Sequence, residues 1–302
     1  MFAVILAVAV TLLQCYVFWR VASVPFVRRH VSPRVLIGVG VALWASYFFS
    51  AALERVDTGA LATSLELWSM TWLAVLFLMS VALLAVDSVT GFGLLFPRVA
   101  PRLRGAALAV GVGLAVLALV QGLRAPVVQI HEVYSRQLPV SLDWAVIVAI
   151  SDLHLGSLVG ATWLAARVEQ VQAEKPDLVV LIGDVFEGHG VPAVELLAVL
   201  KAMSAPLGKW GVLGNHEMHS GGDANGALFE SAGVHLLRNG WIELRPGLIL
   251  AGLDCLSLGP AAGVDGRALA AALAGRPQGP TVLIAHAPPP QELVAGSGVD
   301  LL

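Results

Sequence analysis

The first 123 residues contain four long uncharged apolar runs, Met1–Trp19, Val35–Leu53, Leu67–Val86 and Gly105–Leu123. A helix rises about 1.5 Å per residue, so crossing roughly 30 Å of hydrocarbon takes about 20 residues. Each run approaches or reaches that length. Helices buried in a water-soluble core are shorter and carry a polar stripe, which these runs lack. The first run has no basic residue before it and its positive charges follow it, unlike a cleavable signal peptide. Leu12-Leu13-Gln14-Cys15 also lacks the small residue expected before a lipoprotein cysteine. A four-helix transmembrane domain over residues 1–123 is therefore expected, with Trp19, Trp44, Trp68 and Trp72 as candidate interface markers.

Composition supports the division. The whole chain is 57% hydrophobic and only 13% charged, far from the balance of a soluble domain. Residues 1–124 carry nine Arg and four acidic residues, a net +5. Residues 125–302 carry nine basic and seventeen acidic residues, a net -8, together with seven of the eight His. An acidic second part lacks the basic footprint of a nucleic-acid binder, so no nucleic-acid partner is expected. Cys15 and Cys255 cannot build a disulfide framework.

Loop charges set the expected topology. The first loop holds Arg20, Arg28, Arg29 and Arg34, and the third holds Arg98, Arg102 and Arg104, whereas the second has Arg55 among Glu54, Asp57 and Glu66. Positive loops stay in the cytoplasm. Both termini, and everything after Leu123, are then expected outside a plasma (inner) membrane crossed several times. No ionisable residue falls inside any run, so nothing in them marks an ion pathway. Gly105, Gly111, Gly113 and Gly122 in the fourth run suit close helix packing. The expected role of this part is anchoring.

Residues 124–143 read as a connector with Pro126 and Pro139, and a repeated strand–helix grammar follows. Ala145–Ile150 is short, apolar and rich in β-branched residues, hence a buried strand. Thr162–Glu174 has helical spacing, Pro176 stops it, and Leu178–Ile182 is the next strand. A third unit runs from Glu195–Met203 to Trp210–Leu213, and Thr281–Ala285 is a further strand. Successive units of this kind build an α/β domain. Just past the strands stand Asp152, His154, Asp184, Asn215 and His286, all oxygen or nitrogen donors. The carboxyl edge of an open α/β sheet is where ligands gather. Alternation along an extended segment puts Asp152 and His154 on one side. Mixed imidazole, carboxylate and amide donors suit borderline divalent ions such as Mn, Fe, Zn or Co, and five of them suffice for two ions sharing a carboxylate. Singly, each has a plainer use as a turn former, helix cap or strand end.

The sequences DLHLG (152–156), GDVFEG (183–188), GNHE (214–217) and LIAH (283–286) together resemble the calcineurin-like metallophosphoesterases, nearest the membrane-anchored bacterial members. The resemblance covers roughly residues 144–302 and implies an α-β-β-α sandwich around a centre of two divalent metal ions. By that resemblance Asp152 and His154 hold one ion, Asp184 bridges, and Asn215 and His286 hold the other. His216 contacts the substrate phosphate and assists the leaving group, and Glu187 stands where the family orients that histidine, commonly with Asp. His189, His219 and His235 match no family position.

The family also completes its centre with Gly-His-x-His, one histidine per ion. Only sixteen residues follow His286 and none is His, while Asp300-Leu301-Leu302 resembles the lead-in to that motif. Two expectations follow: a fragment of a complete enzyme, or a degenerate, non-catalytic member that binds metal or a partner. The leading expectation is a membrane-anchored phosphohydrolase acting on a phosphomonoester or phosphodiester, with lipid-linked substrates suggested only by the anchor and the bilayer as its other partner.

Overall fold

A computed structural model of the protein describes residues 2–53, 59–135, 137–156, 159–186, 194–219, 222–254 and 266–302. The chain divides into two compact units, Met1–Val127 and Val128–Leu302.

Among the described residues, the first unit is built on four helices long and apolar enough to cross a membrane. They are α1 (Phe2–Ser23), α3 (Pro33–Leu53), α4 (Ala60–Thr90) and α5 (Ala100–Gly122), with the short α2 (Pro25–His30) lying between α1 and α3. Leu76, Met79 and Leu83 of α4 pack with Val17 of α1 and Ala107 of α5 at the centre of the bundle. Most other apolar side chains, such as Ile37, Phe77 and Val116, face outward, as they must where the solvent is lipid. Glycine packing is selective along α5. A Cβ at Gly111 would come within 2.8 Å of the Met79 backbone, whereas Gly113 and Gly122 face open space. Gly111 is thus the position that lets α4 and α5 approach closely.

One expectation needs correction here. α1, α4 and α5 extend past the uncharged runs and carry Arg20, Asp87 and Arg104 into the packed end of the bundle. Asp87 is fully buried, with Arg20 Nε at 2.6 Å, Arg104 Nη2 at 2.7 Å and the Tyr16 hydroxyl donating from 2.7 Å. Nothing breaks α4 before Gly91, whose left-handed φ of 57° ends it. The helix therefore continues through Asp87, and mutual neutralisation offsets the cost of burying the charges.

The second unit is the expected α/β domain. β1 (Ile147–Ile150), β2 (Leu178–Ile182), β3 (Lys209–Val212) and β4 (His235–Leu236) form one parallel sheet in that order. β5 (Gly240–Arg245) pairs antiparallel with β6 (Leu248–Leu253), which pairs parallel with β7 (Thr281–Ala285) in a second sheet. Alternation along the strands makes two faces of each sheet. Leu178 and Val180 of β2 join Val212, Leu250 and Ile284 in the core between the sheets. Their neighbours Val179 and Leu181 pack instead in a core with Leu164 and Val168 of α6 (Ala161–Ala173), Leu196 and Leu200 of α7 (Val194–Ala202) and Phe229. Asn215–His219 forms α8, and Phe229 lies on α9 (Gly222–Ser231). On the far side, Ala251, Leu253 and Leu283 meet Leu269, Ala272 and Leu273 of α10 (Gly266–Leu273), with Val294 of α11 (Gln291–Val294) beside them. The layers are α-β-β-α.

Candidate metal centre

Four strands deliver the site. β1 leads into Asp152 and His154, β2 into Asp184, β3 into Asn215 and β7 into His286. Backbone bonds extend the β1–β2 pairing past the strands: Asp152 N–H donates to Gly183 O (3.2 Å), His154 N–H to Asp184 O (3.0 Å) and Leu155 N–H to Val185 O (2.8 Å). Three of the donor-bearing residues have left-handed backbones, with φ of 57° at Asp152, 44° at His154 and 50° at Asp184. Such conformations are costly outside glycine and concentrate at functional sites, where the surrounding packing enforces them.

Asp184 is the hub. Its side chain is 4% exposed, and its Oδ2 lies 3.3 Å from His286 Nε2 and 3.9 Å from His216 Nε2. Its Oδ1 accepts the His216 backbone N–H at 2.9 Å. Two groups of potential ligand atoms, each within 4.8 Å, share it: His154, Asp184 and His216, and Asp152, Asp184 and His286. His154 and His216 meet edge to face, with ring centroids 4.9 Å apart. Asp152 Oδ1 remains 3.8 Å from His154 Nε2, so the two groups adjoin while dividing that pair between them. All five expected ligands and His216 converge.

The donor chemistry fits a cation. Among the described residues no lysine or arginine pairs with Asp152 or Asp184, whose ion-pair partners are histidines alone. A buried carboxylate is costly unless paired or bound to metal. His286 sharpens the point. Its Nδ1 lies 2.9 Å from Ile182 O, which can only accept, so the proton sits on Nδ1 and orients the ring. In the neutral ring Nε2 then carries a lone pair, and it faces Asn215 Oδ1 at 3.0 Å. A cation beside both atoms, a proton on Nε2, or the Asn215 amide turned to present its NH2 reconciles that contact.

Glu217 holds the ligand loops and had no role assigned to it from sequence. It is fully buried, and its carboxylate accepts four backbone N–H groups. Oε1 takes Val185 (2.6 Å) and Phe186 (2.9 Å), and Oε2 takes Asp184 (2.9 Å) and Gly214 (2.8 Å). One side chain thereby fastens the loop after β2 to the loop after β3. Gly214 is equally constrained, because a Cβ there would stand 2.1 Å from Asp184 Oδ1. Ser151 adds a smaller support, donating to Asp152 Oδ2 and lying 3.1 Å from Ile182 O. An acidic residue two positions after Asn215 is the only sequence signal for Glu217. Glu187, His189 and Cys255 lie outside the described residues. His219 and His235 are exposed, His219 beside Asn215 O and His235 against the Trp210 ring.

The Calcineurin-like phosphoesterase family profile matches residues 145–300. The chain belongs to this family. It is 32% identical over 190 residues to a bovine protein named transmembrane protein with metallophosphoesterase domain, covering 58% of this chain and 42% of that one. The zebrafish protein of the same name is 33% identical over 188 residues, with the same shares of 58% and 42%. An uncharacterized metallophosphoesterase of Aquifex aeolicus is 33% identical over 131 residues, covering 42% of this chain and 48% of the relative. The chain thus spans less than half the length of these relatives. With four membrane-capable helices preceding the domain, it is a membrane-associated member of a metal-dependent phosphoesterase family.

Proposed function

We propose that the chain is a membrane-anchored phosphohydrolase that cleaves a phosphomonoester or phosphodiester with two divalent ions around Asp184. The membrane domain would be 1–123, the connector 124–143 and the catalytic domain 144–302. The observation that carries this reading is the pair of donor groups sharing one buried carboxylate that has no lysine or arginine partner among the described residues. Asp152, His154, Asp184, Asn215 and His286 would hold the ions. Such a centre supplies charge neutralisation on the phosphoryl oxygens and lowers the pKa of a water.

The chain's own residues supply the rest. His216 is 41% exposed at its side chain, so it can reach a phosphate placed at the donor groups and give a proton to the departing oxygen. Its backbone N–H is tied to Asp184, which fixes the base of that side chain relative to the donors. Glu187 would orient its ring. Glu217 keeps the Asp184 and Gly214 backbones in register, so the geometry exists before substrate arrives. An anchor in the bilayer favours substrates confined there, such as phosphorylated lipids or lipid-linked phosphates. Loop charge favours an extracytoplasmic domain in a plasma membrane.

The test uses the full chain in nanodiscs with an aryl phosphate monoester and diester, with Mn2+ added and then chelated. Metal-stimulated turnover that Asp184→Ala and His216→Ala both remove supports the reading, and full activity in either variant refutes the site. Tight metal binding with no turnover of either ester supports a binding domain instead. A reporter fused after Asp143 that is active only in the cytoplasm refutes the orientation.

A further inference from the structure

Between α1, α2 and α3 the membrane unit has an apolar cavity of about 610 Å³, open along its outer side. Phe18, Trp19, Leu36, Ile37, Val41 and Trp44 form most of its wall. The amide and hydroxyl groups on that wall are already satisfied internally. Gln14 donates to Gly40 O (3.0 Å) and accepts from Trp72 Nε1 (3.1 Å), and Thr11 donates to Ala7 O (2.7 Å) and accepts from Trp44 Nε1 (3.0 Å). The wall therefore offers an occupant almost nothing but apolar contact. Arg28 is different. It lines the cavity and is exposed, and among the described residues its guanidinium has no hydrogen bond or ion pair. Arg29, His30 and Arg34 stand in the same short stretch.

We infer that this cavity holds one acyl chain of an anionic bilayer phospholipid, whose phosphate sits on Arg28. Three observations select that occupant. The volume falls in the range of sites for small ligands. Residues 1–53 contain four arginines and no acidic residue, so the same face of a second copy would bring like charge to Arg28 in a self-complementary contact. A guanidinium presents paired donors that match phosphate oxygens, which a zwitterionic lipid offers only beside its own cation. The site lies wholly within the first unit and needs no hydrolysis by the second.

The test is native mass spectrometry of the full chain released from vesicles holding equal phosphatidylglycerol and phosphatidylcholine. The wild type should retain one phosphatidylglycerol in preference to phosphatidylcholine. Arg28→Gln should weaken that retention about fivefold, the equivalent of the roughly 1 kcal/mol that a cation near the surface contributes. Arg98→Gln, a change in the third loop away from the cavity, should leave it unchanged, and the filling variant Val41→Trp should abolish it. Equal retention of both lipids by the wild type, equal effects of Arg28→Gln and Arg98→Gln, or undiminished retention in Val41→Trp would each overturn the inference.

Discussion

Replacing Glu217 by Gln is the sharpest probe of how the centre is held. The carboxylate accepts four backbone N–H groups in a fully buried position. An amide of the same shape has one acceptor oxygen, which can serve two of the four, and its NH2 points donors at the remaining two. Two bonds to a charged acceptor are lost, at about 1.5–3 kcal/mol each, so the loops after β2 and β3 should be loosened by about 3–6 kcal/mol. The readout is amide hydrogen exchange of residues 183–186 and 214 in the full chain. Exchange there should accelerate by at least about two powers of ten, since 1.36 kcal/mol is one decade. Metal affinity should fall by about 10–100-fold, as for other groups that support ligands from behind. Unchanged protection at Asp184, Val185 and Gly214 in the Gln variant would refute the reasoning. Glu217 would then be an incidental neighbour.

Other perturbations test other joints. Gly214→Ala places a methyl 2.1 Å from Asp184 Oδ1, so that carboxylate must move, and calorimetric metal titration should show at least a tenfold loss of affinity, about the effect of disturbing ligand support. Asp87→Ala leaves Arg20 and Arg104 buried together and should cost the membrane unit about 3–5 kcal/mol in detergent unfolding, whereas a near-neutral result would show that the cluster is solvated. Lys209 donates to Leu200 O and Ala232 O, and burial, more than the nearby charge of Lys201, pushes its ammonium below the usual 10.5. With a lowered folded value the unfolded chain binds more protons in that window, so stability should rise as pH climbs from the folded value to 10.5, and unfolding titrations of Lys209→Met should lack that increment.

The sequence was most readable where apolar runs abut donors. β2 and β7 lie where their β-branched runs predict them, because strands buried on both faces need no polar alternation. The convergence of Asp152, Asp184, Asn215 and His286 followed from their places at strand ends. Less was legible where tertiary context decides. β5 is half-exposed and β6 entirely buried, so their hairpin carries no common pattern. Gly214-Asn215 reads as a turn, yet Asn215 opens α8, which places His216 and Glu217 on opposite duties within one helical turn. A buried carboxylate such as Glu217 or Asp87 looks like a solvated one until its donors are located, and those of Asp87 come from residues 71 and 67 positions before it and 17 after it.

The cluster around Asp87 bears on how the membrane unit comes together. Arg20 and Arg104 count as loop charges while the helices are being inserted, and as packing groups once the bundle has closed. Asp87 meets Arg20 as soon as α4 is in place, but Arg104 arrives only with α5, the last of the four membrane-capable helices to leave the ribosome. Until then the carboxylate lacks one of its two guanidinium partners and the Ala107 and Gly111 surfaces are missing from the core. Closure of the bundle is therefore a late event that waits on α5, and two of the arginines read as loop charges in the sequence are the ones that lock it.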